Sequence, residues 1–313
     1  MRTTFINTLY ELAANDRHIM LLTGDLGFTV FETFRDRYPR QFINVGVAEG
    51  NMMSIAAGLA LTGKIVFAYS IATFATLRPL EQIRNDIASH NAHVCVVGTG
   101  GGLSYSDASI THHAMEDIAL MRVIPKMTVL CPGDPTEAAW ATRTAATISG
   151  PAYLRLGKQK DVPLYSGAAH FVLGRGSILT RGKNLAVLAT GNIVANTLAA
   201  VDLLSKKGMK ATLVSMHTIK PIDTRWLRQL LRDFGLVVTV EEHSRVGGLG
   251  SAIAESIADF EWRGRLVRLG IPDRFVYSIG SLSYVRESVG LTPALIAHSI
   301  GRAFRQLADQ THG

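Results

Sequence analysis

Cysteine is almost missing from this chain: Cys95 and Cys131 are the two in 313 residues. Each sits in or just after an apolar run, and the pair lacks metal-ligand spacing. Both therefore read as reduced core residues, and a disulfide scaffold is excluded. Long apolar runs are also lacking. No stretch reaches the roughly 18 residues that a spanning helix needs. The first segment, MRTTFINTLYELAANDRH, mixes polar and apolar residues without the apolar centre of a secretion signal. The expectation is a cytoplasmic chain with no membrane contact. Blocks of like charge are absent too. The net charge is +7, yet the cations are scattered, as in Arg35, Arg37 and Arg40 or Lys206, Lys207 and Lys210. Such scatter reads as solvated faces, not as a nucleic-acid surface.

What is present is a globular composition, 47% hydrophobic and 18% charged, over a length that suits two domains. Short apolar runs alternate with helical spacing. HIMLLTGD (18–25), FINVG (42–46), KIVFAYS (64–70), AHVCVVGTGGG (92–102), MTVLCPGD (127–134) and PAYLRLG (151–157) read as buried strands. Helical segments fall between them, at 3–14, 48–61, 75–89, 113–124 and 135–147. Residues 158–174 break the pattern with polar residues, Pro163 and Gly167. A second series follows, with strands at 184–191, 210–218 and 236–242 and helices at 192–207, 222–234 and 251–263. The fold class expected is α/β, two doubly wound and mostly parallel-sheet domains. The divisions are 1–165, a linker at 166–174, and 175–313. Sites in such sheets lie at the carboxyl ends of strands, where Asp25, Glu49, Phe74, the 99–112 loop and Arg155 fall.

The densest chemical signal is NVGVAEGNMMSIAAGLALTGK (44–64). Glu49 stands at the start of a helix that is otherwise almost wholly apolar. A carboxylate there is costly unless partnered. Read from spacing alone, it is either a helix N-terminal charge satisfied by backbone N–H groups or a functional acid. Phe74 is, by itself, equally a core aromatic. His112 and His113 are adjacent and cannot share a face, so one should face a site and the other structure or solvent.

That segment is similar to the glutamate-bearing helix of the transketolase family's pyrimidine-binding domain. The resemblance extends through GDLG (24–27), ATFATLRPLEQIRNDIA (72–88), THHAMEDIALMRVIPKMTVLCPGDPTE (111–137) and VEEHSRVGGLGSAIAE (240–255), and so covers nearly the whole chain. The 111–137 run is very close to transketolase C-terminal subunits. The resemblance implies the transketolase pyrimidine-binding and C-terminal folds and thiamine diphosphate as cofactor. It implies transfer of a two-carbon ketol unit from a ketose, commonly a phosphate, to an aldehyde. Loss of the cofactor's C2 proton needs its aminopyrimidine as the imino tautomer, which a carboxyl group hydrogen-bonded to N1′ favours. The match assigns that carboxyl to Glu49 and the ring-stacking aromatic to Phe74. Asp25 lies in the first cofactor loop. Leu77 and Leu80 stand where further aromatics are usual, and keep an apolar wall.

For substrate, the resemblance assigns His112 to the donor hydroxyls and Arg2, Thr29 and Arg155 to a distal phosphate. Asp107 lies one residue further off than the family's substrate aspartate. Gly100, Gly101 and Gly102 replace a loop histidine. The family's GDG motif for diphosphate and Mg²⁺ is absent, since residues 24–26 read GDL and GGLGS (247–251) has no carboxylate. The metal ligands, and the diphosphate site, are therefore expected on a separate N-terminal subunit carrying GDG, in a heterotetramer with two copies of each chain. Two other readings stay open: a β-type subunit of a 2-oxo acid decarboxylating or acyloin-forming enzyme, and a non-catalytic interaction subunit.

Overall fold

The computed structural model describes residues 1–158, 162–167 and 169–311. The first half runs α1 (Arg2–Asn15), β1 (Ile19–Thr23), α2 (Glu32–Arg37), β2 (Phe42–Asn44), α3 (Glu49–Leu61), β3 (Ile65–Ile71) and α4 (Ala72–Thr76). It continues with α5 (Leu80–Gln82), which passes into a π-helical turn (Ile83–Ala88), then β4 (Val94–Thr99), α6 (Asp117–Val123), β5 (Thr128–Leu130), α7 (Pro135–Thr147) and β6 (Ala152–Leu156). The second half runs β7 (Ser177–Thr180), β8 (Leu185–Thr190), α8 (Val194–Ser205), β9 (Ala211–Ser215), β10 (Thr218–Lys220) and α9 (Thr224–Leu231). It ends with β11 (Leu236–Ser244), α10 (Leu249–Asp259), β12 (Arg265–Ile271), α11 (Leu282–Ser288) and α12 (Pro293–Thr311). None of the described helices is long and apolar enough to cross a membrane.

Local chemistry sets these elements. Strands β1, β4 and β6 are buried at every residue, which is why they read as unbroken apolar runs. Helix α7 starts where it must: Pro135 takes its first turn, and the Asp134 side chain accepts the Glu137 N–H at 2.8 Å. Helix α9 is capped in the same way by Asp223, which accepts the Trp226 N–H at 2.9 Å.

The strands form two sheets, in the orders β10-β5-β6-β4-β3-β1-β2 and β12-β11-β8-β9-β7. Both are parallel except at one edge, where β10 runs against β5 and β7 against β9. The two doubly wound units expected from the sequence are present. In the first sheet the chain order reverses between β1 and β3, which opens a crevice beyond their carboxyl ends. The expected strand at 210–218 is divided. It ends at Ser215, and Thr218–Lys220 crosses to complete the other sheet. One core accordingly runs from Met52, Ile83 and Ile118 of the first half to Val214, Ile219, Leu227 and Leu249 of the second.

A polar cluster joins the halves beside that core. Arg155, on β6, donates through Nε to Asp117 Oδ2 at 2.7 Å and through Nη2 to the carbonyls of Ala114 and Glu242, each at 3.0 Å. Tyr153 adds its hydroxyl to Asp117 at 2.6 Å. Burial alone pushes the Asp117 carboxyl up, but the Arg155 guanidinium outweighs it and the net shift is downward. Glu242 is in turn met by Arg286, by the Leu103 N–H at 2.8 Å and by Asn192 at 2.9 Å.

Two buried carboxyl groups make the fold sensitive to pH. Glu137 accepts the Gly133 N–H at 2.6 Å and the Tyr165 hydroxyl at 2.5 Å, and burial pushes it up to about 7. Glu241 is likewise pushed up to about 7 by burial. Each is raised above its unfolded value, so the folded chain holds protons that the unfolded chain has released. The share of stability that these two groups supply should therefore fall as pH rises from about 4.5 to about 7, by up to about 3 kcal/mol per group. The buried His217 and His243, which burial lowers to about 4, work the other way, so their share rises over much of the same window. The difference in urea midpoint between wild type and Glu137→Gln at pH 5 and pH 8 isolates the Glu137 share, and the variant should lack it. A variant whose midpoint changes with pH just as the wild type's does would contradict the assignment.

Candidate active site

The crevice beyond β1 and β3 collects most of the expected residues. Gly24 follows β1, and a Cβ there would lie 3.3 Å from the Gly46 carbonyl and 4.0 Å from Glu49 Oε1. A bare backbone there lets the two loops approach without strain. Asp25 ties them together: its N–H donates to Asn44 Oδ1 at 3.0 Å, and Asn44 Nδ2 donates back to its carboxylate at 3.2 Å. Glu49, the first residue of α3, is 3% exposed. Its Oε1 accepts the Ser70 hydroxyl at 3.3 Å, and its Oε2 accepts Arg78 Nη1 at 2.9 Å. The same Arg78 guanidinium lies 3.9 Å from the centroid of the Phe74 ring.

His112 also meets Phe74, edge-on, with ring centroids 5.0 Å apart. Its Nδ1 is engaged by the Thr111 hydroxyl at 2.8 Å. Burial lowers the His112 pKa, the Lys158 charge lowers it further, and Asp107 works against both. Tyr105 sits 5.5 Å from His112, and Lys158 Nζ lies 4.0 Å above the Tyr105 ring and 3.9 Å from Asp107. Arg2 lies near Tyr69 and Tyr105 and adds positive charge beside both. His113 faces the other way and is 1% exposed. The adjacent histidines thus divide between crevice and core.

Glu49 and Phe74 are therefore linked through Arg78, Phe74 touches His112, and Asp107 joins them through Lys158 and Tyr105; Asp25 lies on the loop after β1 beside Gly24, and Arg2 near Tyr105. The remaining expectations fare differently. Thr29 is exposed, with positive φ, and its N–H caps α2 through Glu32 at 2.8 Å. Leu77 is exposed and Leu80 half-buried against the core. Arg155 requires correction as a phosphate ligand. It is 2% exposed and enclosed in the ion pair with Asp117, because it lies within β6, between the two halves. The glycines that stand in place of a histidine are explained by the same cluster. A Cβ at Gly101 would lie 2.7 Å from Arg155 Nε, and one at Gly102 2.6 Å from the Glu242 carbonyl.

Sequence reasoning missed Arg78, Ser70, Tyr105 and Lys158. Lys158 had a usable signal. It is the second residue past the end of β6, where sites in such sheets lie, whereas Arg155 is inside the strand. Arg78 had none, since nothing in local spacing says that an arginine folds back over Phe74.

The cleft fits the aminopyrimidine part of thiamine diphosphate. A flat, hydrogen-bonding guanidinium already lies between an aromatic face and a buried carboxylate. The diphosphate and its metal find no counterpart: among the described residues no three His, Cys, Asp or Glu side chains converge. The glycine loop before α10 is engaged internally, because the Leu249 and Gly250 N–H groups donate to Glu241 at 2.7 and 2.8 Å.

Comparison with known proteins identifies the family. Residues 1–161 match the family model for the transketolase pyrimidine binding domain, and residues 174–296 that for the transketolase C-terminal domain. A putative transketolase C-terminal section from Methanocaldococcus jannaschii is 41% identical, over 96% of this chain and 95% of its own. An apulose-4-phosphate transketolase subunit from Phocaeicola vulgatus is 35% identical over 88% of each chain. A solved structure described as a split gene transketolase, inactive beta4 tetramer, superposes with a TM-score of 0.88 at 36% identity, covering 97% of this chain and 98% of that one.

The enclosure of Arg155 has a measurable consequence. Arg155→Met should cost about 3–5 kcal/mol in chemical denaturation, because it leaves Asp117 buried and unpaired. A variant of wild-type stability that bound only phosphorylated substrates less well would restore the ligand role.

Proposed function

We propose, from the premise that this chain belongs to the transketolase family, that it is the catalytic-glutamate subunit of a two-chain, thiamine-diphosphate-dependent ketol transferase. The observation that carries this reading is the buried Glu49 carboxylate set against the Phe74 ring, with His112 beyond it. Bound thiamine diphosphate supplies the thiazolium carbon that adds to the donor ketose. Everything else falls to the chain's own side chains. Glu49 holds and exchanges a proton at N1′ of the pyrimidine, Phe74 offers its face, and the small residues around Gly24 and Gly46 let the loops close on the site. His112 and Asp107 meet donor hydroxyls. Lys158 and Arg2 provide the positive charge for a distal anionic group, the role first expected of Arg155.

The partner is a chain with the diphosphate site and the Mg²⁺ ligands, two copies of each forming a heterotetramer. Two facts support it: the related chains of similar length are called a section or a subunit, and the beta4 tetramer is described as inactive.

The test compares the purified chain with the mixture of both chains, Mg²⁺ and thiamine diphosphate. The chain alone should show no turnover, and the mixture should transfer ketol units. In the mixture, Glu49→Gln should slow hydrogen–deuterium exchange at the cofactor C2 by about two to four orders of magnitude. Exchange at the wild-type rate in an assembled variant would sink the assignment. Lys158→Ala should raise KM for a phosphorylated acceptor roughly ten- to a hundredfold and leave kcat nearly unchanged. An equal penalty on an unphosphorylated acceptor would remove Lys158 from the anion site.

A further inference from the structure

Arg78 is unlike the other arginines that meet buried carboxylates. Arg155 is wholly enclosed, and Arg286 is held by Glu242, Asn196 and the Asn192 carbonyl. Arg78 has 48% of its side chain exposed, and its contacts are the Glu49 carboxylate and the Phe74 face. It follows Leu77 in the short link between α4 and α5, so its side chain is anchored at one end alone and reaches inward. An arginine held in this way has an open path to solvent, since nearly half of it is already exposed.

The two places it holds are informative. A guanidinium is planar, donates hydrogen bonds and stacks on aromatic rings. Those properties match the demands of an aminopyrimidine: a ring face and a carboxylate partner. At 3.9 Å the guanidinium occupies the layer directly against Phe74, which leaves no room for a second ring in contact with that face. Its Nη1 occupies Glu49 Oε2 at 2.9 Å, and the weaker Ser70 contact at 3.3 Å takes Oε1. The pairing also answers a cost. Glu49 would otherwise be a buried carboxylate with a single hydroxyl for company, which is strongly unfavourable.

We infer that Arg78 is a placeholder for the aminopyrimidine: it neutralises Glu49 and covers Phe74 in the cofactor-free chain, and it must swing out to solvent when the cofactor enters. The inference rests on the function proposed above. Arg78 is thus a positioning residue that preserves the empty site and subtracts from cofactor affinity.

The test measures the Kd of thiamine diphosphate by calorimetry on the assembled two-chain complex with Mg²⁺, and thermal unfolding of the cofactor-free chain. Arg78→Met keeps the apolar stem and removes the competing guanidinium. It should tighten cofactor binding roughly three- to thirtyfold while lowering the Tm of the cofactor-free chain, because Glu49 loses its partner. Arg78→Lys, which keeps the charge but not the plane, should fall between. The double variant Glu49→Gln with Arg78→Met should recover the lost Tm. A merely structural arginine would lower Tm without tightening binding. Unchanged or weakened binding in Arg78→Met, beside normal wild-type binding, overturns this inference alone. A wild-type complex that binds no thiamine diphosphate overturns the proposed function, and this inference with it.

Discussion

The ion pair of Arg155 and Asp117 sits where the two halves of the chain meet, and a large part of the architecture is arranged around it. An unpaired charge at that depth would cost several kcal/mol, so each partner must be met from several directions. Tyr153 and the Ala114 carbonyl close it from the first half, and the Glu242 carbonyl from the second. The loop from Gly100 to His112 must then pass close over the guanidinium and Glu242, which leave room only for glycine at 101 and 102 respectively. That same loop ends at His112. The position of a cleft residue is thus set by the enclosure of a charge that never enters the cleft.

The cleft itself is organised by a contrast between charges that cannot move and charges that can. Glu49 is fixed at the first turn of α3, on a scaffold of packed strands. Arg78 reaches it, and Lys158 reaches Asp107, on long, partly solvated stems. A fixed anion met by an adjustable cation can be neutralised when the site is empty and accept a ligand without moving the backbone. The aromatic residues Phe74 and Tyr105 serve both conditions, since each carries a cation over its ring.

Much of this is legible in the chain. The buried strands β1, β4 and β6 announce themselves as apolar runs, and the span of α7 is readable from Pro135 onward because its cap chemistry is local. Glu49 stands out because a carboxylate in an apolar helix demands an explanation. What stays hidden depends on distant partners. Nothing near Arg155 in the sequence shows that Asp117, thirty-eight residues earlier, claims its guanidinium, and so a conspicuous arginine at a strand end reads as a ligand. The short strand β10 merges with β9 in the sequence pattern because the break at Met216 and His217 is made by a change of sheet, not by a turn residue. Arg78 is hidden for a related reason: its direction is chosen by Glu49, twenty-nine positions away.

The crossing of β10 carries a consequence for how such chains can be recombined. The polar stretch between the halves looks like a seam, yet residues 218–220 belong to the first sheet and the main core runs through both halves. A chimera joined in that stretch would give the first sheet a foreign edge strand and mismatched apolar neighbours from β9, α9 and β11. Exchange between relatives should respect the packed surface and carry β10 and its contacts with the first half.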